Sequence, residues 1–175
     1  MNLVPGKGVR VLAALALARA GDAALAGKLA DQLAAEFPSS ALIQYYWLPA
    51  IRAQVELHNG HHHQAIELLR AAARYDLADT FAPMTPVYIR AEALLGARQG
   101  DAAAAEFQRI LDHRGIVGNS PLGALARLGS ARAYALSGDA AKAGSQYREF
   151  LALWKEADAG NRPLQQAKAE SLKLK

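Results

Sequence analysis

The chain has 175 residues, of which 52% are hydrophobic and 21% charged, so its composition is that of a globular protein and not of a disordered one. It contains no cysteine, which excludes disulfides and thiol catalysis and fits a cytoplasmic location. The net charge is +4, but the lysines and arginines are scattered, and no apolar run reaches the ~18 residues that cross a bilayer, so we expect neither a nucleic-acid surface nor a membrane span.

Residues 1–8 are expected to form a lead-in before the folded part of the chain. The segment Pro5–Gly8 has only part of the phosphate-loop pattern GxxxxGK[ST], and no strand precedes it, so it predicts no nucleotide site. The apolar run Val9–Ala18 resembles a short secretory signal, but it also fits the first helix of a repeat, and we favour the helix.

Four helix–turn–helix units can be aligned along the chain. The fourth is the clearest, and its pattern residues are Ala131, Tyr134, Gly138, Ala143, Tyr147 and Phe150. The turn positions of the four units are residues 21, 60, 98 and 138. The units cover residues 9–38, 40–75, 85–112 and 121–157, and residues 163–175 are predicted to form a capping helix. Spacing by three and four residues predicts helices, not strands.

The turns have a predicted chemistry of their own. Three of the four turn positions are glycine, which accepts the left-handed backbone that ends many helices, and in the third unit this role is expected of Gly96 or Gly100. An aspartate directly follows three of these glycines, Gly21, Gly100 and Gly138, at a position where its side chain can cap the next helix. The three aspartates are Asp22, Asp101 and Asp139.

This pattern resembles the tetratricopeptide repeat family over residues 9–154. The resemblance implies an all-α, right-handed superhelix of four helix pairs plus a C-terminal capping helix, with the first helix of each pair on the concave side. The turn positions are 39, 38 and 40 residues apart, against about 34 in the standard repeat. A HEAT-type solenoid has a period closer to this, but the spacing of alanine, tyrosine and glycine favours the tetratricopeptide interpretation.

Three segments carry a narrower resemblance. They are YYWLPAIRA at 45–53, AAAEFQRILDHRGIVGNSPLGALARLGSARAYALSGD at 103–139 and FLALWKEAD at 150–158. They resemble the C-terminal repeat regions of bacterial serine/threonine protein kinases and of winged-helix transcription regulators. The resemblance implies a protein-binding module of a bacterial signalling protein. No kinase motif is present, so we expect no enzymatic activity.

A partner is expected in the concave groove, on the first helices of the second and third units. These helices carry aromatic, Arg and Gln side chains that the repeat pattern does not require, and such side chains are typical of binding surfaces. The predicted contact residues are Gln44, Trp47, Gln54, Tyr88 and Arg90. An equal alternative for the aromatic run Tyr45–Trp47 is packing under the connection at 76–84.

A second candidate site is the loop before the fourth unit, with His113, Arg114 and Asn119. Polar loop residues often carry function, but these can also tie the loop down.

The three adjacent histidines His61–His63 could bind zinc or nickel, yet they fit the exposed turn of the second unit, so we predict no metal and no cofactor. The predicted partner is a protein or peptide, and the alternative is self-association of the parent protein as a homodimer.

Overall fold

A computed structural model describes residues 6–158 and 160–174. Within these ranges the protein is all-α, as predicted, and contains no strand. The α-helices are α1 (Lys7–Ala20), α2 (Ala23–Glu36), α3 (Leu48–His58), α4 (His62–Arg70), α5 (Thr85–Gly96), α6 (Gly100–Asp112), α7 (Arg114–Val117), α8 (Leu122–Leu136), α9 (Ala140–Leu153) and α10 (Arg162–Ser171). A π-helical turn, Ile43–Trp47, leads directly into α3, and a 3-10 turn, Ala73–Tyr75, follows α4.

The helices form two compact bodies, which divide between Ala93 and Leu94 inside α5. In the first body, α1 packs against α2 and α3, and α3 also packs against α4. Alanine fills the positions that the alignment assigned to the tight helix crossings, where a larger side chain would separate the backbones. The alanines of the first body at these positions, all fully buried, are Ala14, Ala26, Ala53, Ala65 and Ala91.

In the second body, α8 packs against both α6 and α9, and α10 covers α9. The capping helix buries Leu164 and Ala167. It is also held by Glu170, whose carboxylate accepts hydrogen bonds from the Tyr147 hydroxyl at 2.9 Å and from Nε of Arg132 at 2.8 Å. Burial, together with the Glu170 carboxylate, raises the pKa of Tyr147, which keeps its hydroxyl protonated as the donor of this bond.

All four aligned turns share one geometry. The backbone is left-handed at Gly21, Gly60, Arg98 and Gly138, with φ of 93°, 79°, 62° and 83°. In each turn the amide of this residue bonds to the carbonyl three residues back, and the amide of the next residue bonds to the carbonyl five residues back. This pair of bonds is the Schellman motif, which satisfies the last carbonyls of a helix. The predicted turn positions are therefore confirmed.

The third turn departs from the prediction in its residues. Arg98 adopts the left-handed backbone, while Gly96 ends α5 and Gly100 begins α6. Gly100 has another role, since a Cβ at this position would collide with the Ser137 side chain. Asp101 lies inside the first turn of α6 and does not cap it, because the helix begins at Gly100, two residues earlier than a cap at Asp101 would require.

The other two aspartates do cap their helices, with Asp22 accepting from the Leu25 amide and Asp139 from the Lys142 amide, each at 3.0 Å. Helix α1 begins at Lys7, inside the segment predicted as a lead-in, and residues 1–5 of that segment lie outside the described residues. The last helix, α10, ends at Ser171, within the predicted 163–175, and residue 175 also lies outside the described residues.

Candidate partner-binding site

The side chains predicted to line a groove all belong to the first body and are largely covered. They are Gln44, Trp47, Gln54, Tyr88 and Arg90. The last four of these expose only 4, 5, 8 and 8% of their surface. The side-chain amide of Gln44 is half-buried and donates to the carbonyls of Ala34 and Phe37, at 3.2 and 3.1 Å. In this conformation the five side chains offer little area to a partner, and Gln44 already has an internal role.

Arg90 holds the connection between α4 and α5 in place. Its guanidinium donates to the two carboxylate oxygens of Asp76 at 2.9 and 3.4 Å, and Asp76 is 2% exposed. A second acidic residue, Asp79, is also buried and accepts from the Phe81 amide at 2.7 Å. A buried charge is unfavourable unless it is paired, so the role that the structure gives Arg90 is internal.

The aromatic run at the start of the second unit packs under the same connection. The Tyr46 hydroxyl accepts from the Thr85 amide at 3.1 Å and donates to the Ala82 carbonyl at 2.8 Å. Burial raises the pKa of Tyr46, so this hydroxyl keeps its proton. Tyr45 faces outward and stacks on Tyr75, with ring centres 5.5 Å apart. Of the two interpretations left open by the sequence, the structure supports packing.

Tyr88 is covered by a side chain from the first helix of the chain. The Arg19 guanidinium lies 5.8 Å from the centre of the Tyr88 ring and donates to both carboxylate oxygens of Glu92, at 2.8 and 3.2 Å. Burial is the main cause that raises the pKa of Tyr88, and the nearby Glu92 adds to it. Arg19 on α1 and Glu92 on α5 therefore form an ion pair beside Tyr88, which is one of the residues that were expected to contact a partner.

The three residues of the loop alternative, His113, Arg114 and Asn119, have different surroundings in the structure. Nδ1 of His113 lies 2.7 Å from the carbonyl oxygen of Arg109. A carbonyl only accepts, so Nδ1 carries the proton and His113 closes the end of α6. Arg114 and Asn119 are exposed, and both line a cleft in the second body.

This cleft has a volume of about 400 Å³. Its walls come from the ends of α6 and α9, from α7 and its following loop, and from the start of α8. The floor is apolar and is formed by Ile110, Leu111 and Val117, which are buried and expose only 1, 6 and 5% of their surface. At the rim, Leu153 is 61% exposed and Trp154 packs on Phe150 with ring centres 4.9 Å apart.

The charges of the cleft are unbalanced. Arg127 forms an ion pair with Glu149 on α9. Arg114 is exposed and forms no ion pair with any residue that the structure describes. None of the described residues that line the cleft is acidic. The cleft thus combines an apolar floor with a guanidinium that no acidic side chain in the described chain neutralises.

Leu153 and Trp154 were not among the predicted site residues. The repeat pattern of the fourth unit ends at Phe150, and both residues follow it at the end of α9. Their position was the signal that could have found them, because both are large apolar side chains that lie beyond the last position of the repeat pattern. The floor residues gave no such signal, because a buried isoleucine or valine is ordinary core.

Neither a metal-binding group nor a membrane-spanning helix is found among residues 6–158 and 160–174. In the histidine cluster, Nδ1 of His61 lies 2.7 Å from a carboxylate oxygen of Glu56. This contact ties the turn before α4 to the end of α3.

Comparison with protein-family models gives no match to the chain, and no curated protein matches it. Its function therefore has to be inferred from its own residues, and above all from the cleft.

Proposed function

We propose that the chain is a protein-interaction module of the tetratricopeptide type, and that it receives a peptide or helix at the cleft of the second body. One observation carries the proposal. This cleft is lined by an exposed leucine, a tryptophan and an arginine that has no ion pair among the described residues, beside an apolar floor. Tryptophan and arginine are the residue types most enriched among interface hot spots.

The repeated turns support the module type. Four turns with the same pair of hydrogen bonds recur at a spacing of 38 to 40 residues, and a nearly fixed period of this kind is typical of a helical-repeat protein. Stacking of the four units into a right-handed superhelix remains a prediction. Helical-repeat proteins present preformed surfaces to other polypeptides, and we propose binding without catalysis as the role of this chain.

The cleft is a stronger candidate than the groove because it needs no rearrangement. Trp47 and Arg90 would have to leave buried positions to meet a partner, and Arg90 would abandon its ion pair with Asp76. Leu153 and Arg114 are already exposed. Binding at the cleft therefore avoids the cost of breaking internal contacts.

A selection experiment tests the proposal. A display library of random twelve-residue peptides would be selected on the whole chain, and the amide hydrogen exchange of the chain would be compared with and without an enriched peptide. We expect new protection at residues 110–127 and 150–154. Protection confined to α3 and α5 would favour the groove, and a library without enriched binders would contradict the proposal.

The narrower resemblance would place the chain in a bacterial kinase or transcription regulator. This part of the proposal rests on the three quoted segments alone. The gene around the coding region tests it, because a kinase or winged-helix domain fused to this chain is the expected result.

Self-association is a second candidate, and an exposed apolar patch on the first body favours it. Val9 and Phe81 expose 60 and 66% of their surface, and Leu12 lies one turn beyond Val9 on α1 with 39% exposed. A Cβ at Gly8 would lie 3.7 Å from the Phe81 ring, so the ring lies beside the start of α1. Light scattering tests this candidate: a dimer that Phe81→Ser converts to a monomer would support it, and a parent chain that is monomeric at high concentration would exclude it.

A further inference from the structure

We propose that the cleft recognises an acidic side chain, aspartate or glutamate, that neighbours an apolar residue in a polypeptide segment. The inference rests on the proposed function and names the chemistry of the partner. Arg114 would bind the carboxylate, while Leu153 and Trp154 would receive the apolar side chain.

Charge complementarity is the first reason. Two arginines line the cleft, and only Arg127 has an acidic partner, Glu149. Arg114 is exposed and forms no ion pair among the described residues. An arginine presents a planar fork of N–H donors that matches a carboxylate. A basic segment would bring a like charge to this arginine and is disfavoured.

The distribution of charge along the chain is the second reason. Residues 94–175 carry twelve Lys and Arg and eight Asp and Glu, whereas residues 1–93 carry eight of each. The whole net charge of +4 therefore belongs to the second body. A positive surface speeds the approach of an acidic segment and slows that of a basic one.

The apolar part of the cleft excludes a purely electrostatic ligand. Leu153 and Trp154 stand at the rim of a cleft whose floor is formed by buried Ile110, Leu111 and Val117. An apolar side chain placed against Leu153, which is 61% exposed, removes apolar surface from water, and a hydrophilic acidic segment cannot do this. We therefore place an apolar side chain in the cleft and the carboxylate beside it at Arg114.

The test uses peptides selected from the random library on the whole chain, resynthesised with amidated C-termini so that only side chains carry negative charge. We expect enriched peptides to hold an Asp or Glu within two positions of a large apolar residue. Replacing that Glu by Gln, or Arg114 by Gln, should each weaken binding about tenfold, the size of one charge-assisted hydrogen bond. Together the two changes should weaken binding little more than either alone, because both remove the same contact.

Three comparisons sharpen the result. Arg148→Gln removes another exposed arginine of the second body, on α9, and should leave affinity unchanged. Arg114→Lys should restore part of the binding, and Leu153→Ser should weaken it by about fivefold through lost apolar burial. Circular dichroism checks that each variant keeps its fold.

The outcomes separate the two proposals. Peptides that need Leu153 but not a carboxylate or Arg114 would overturn the acidic partner and leave the proposed function standing. Peptides that bind equally to the Leu153 and Arg114 variants would overturn both. A response to Glu→Gln that is equally large in wild type and in Arg114→Gln would show that another residue binds the acid.

Discussion

Both bodies of the molecule contain a long connection between helix–turn–helix units, and the two connections differ in how they are secured. In the first body, residues 71–84 are held by buried groups, among them Asp76 paired with Arg90 and the hydroxyl of Tyr46. In the second body, residues 113–121 are held by buried Val117 and by few side-chain bonds: His113 bonds to the end of α6, and Ser120 accepts from the Leu122 amide at 3.2 Å.

The difference shows where polar and aromatic residues are available for a partner. In the first connection Asp76 and Asp79 make internal contacts, and so does the predicted groove residue Arg90, whereas Phe81 stays 66% exposed. In the second connection Arg114 and Asn119 remain exposed beside a cleft. A residue that a repeat pattern does not require can thus serve either packing or binding, and the contacts of the neighbouring connection decide which.

The largest effect is expected from breaking the buried pair of the first connection. Asp76→Ala removes the buried carboxylate that pairs with the Arg90 guanidinium, and loss of one member of such a pair costs about 3–5 kcal/mol. Urea unfolding monitored by circular dichroism measures it. Asp31→Ala is the control, since it removes an exposed ion pair with Arg52 and should cost at most about 1 kcal/mol. Equal unfolding midpoints would mean that the pair does not secure the connection.

The second body has a close approach between α6 and α8, and Gly129→Ala tests it. A Cβ at Gly129 would collide with the Phe107 ring, so α6 and α8 would have to separate, at a cost of about 1–3 kcal/mol. Gly144→Ala is the matched control within α9. Its Cβ would meet only the flexible end of Arg148, at 3.5 Å. Helix propensity then predicts a gain of about 0.5–1 kcal/mol. If both variants lost the same free energy of unfolding, the close approach of Gly129 to the Phe107 ring would be contradicted.

A smaller effect compares one turn from each body. Asp22 caps α2 through the Leu25 amide, so Asp22→Ala should lower the free energy of unfolding by about 1 kcal/mol. Asp101 lies within α6 and caps nothing, so Asp101→Ala should change it by less than about 0.5 kcal/mol. Thermal unfolding of the two variants decides, and an equal loss in both would show that Asp101 also caps its helix.

The smallest effect is a pH dependence at the last turn. Hydrogen bonds from the Lys142 side chain and amide lower the pKa of Asp139 below its ordinary value of 3.8. Because the folded pKa is the lower one, this contribution to stability is present above pH 3.8 and disappears as the pH falls through the folded pKa.

Asn also caps helices but does not titrate, so Asp139→Asn supplies the reference. We expect the difference in Tm between the parent chain and Asp139→Asn to become smaller below pH 4. When Lys142→Ala is introduced into both of these proteins, the difference between their Tm values should change less with pH. A difference that stays constant from pH 6 to pH 2 would refute this.

The helix pairs and their turns could be predicted because they are local. Spacing by three and four residues defines each helix, and glycine supports the left-handed turn at three of four positions. In the third turn the residue with the left-handed backbone was predicted wrongly, because an arginine gives no sign that it will adopt this conformation. Only the alignment with the other units pointed to residue 98.

Whether the predicted site residues are buried or exposed could not be predicted in the same way. Burial of Arg90 depends on Asp76 in the preceding connection, and the cover over Tyr88 depends on Arg19 and Glu92, which are 73 residues apart. Periodicity carries no information about pairings of this kind. For Arg114 the sequence predicted a loop, whereas the structure places it at the start of the short helix α7, exposed beside an apolar cleft.

The positions of the two tryptophans have a practical consequence for optical work. The chain has only two of them, one in each body: Trp47 is 4% exposed, and Trp154 stands at the rim of the cleft. Indole fluorescence depends on the polarity around the ring, so a Trp47→Phe chain reports from the cleft alone and a Trp154→Phe chain from the interior of the first body. With these two variants, fluorescence can follow the melting of each body separately and register a ligand in the cleft without an attached dye.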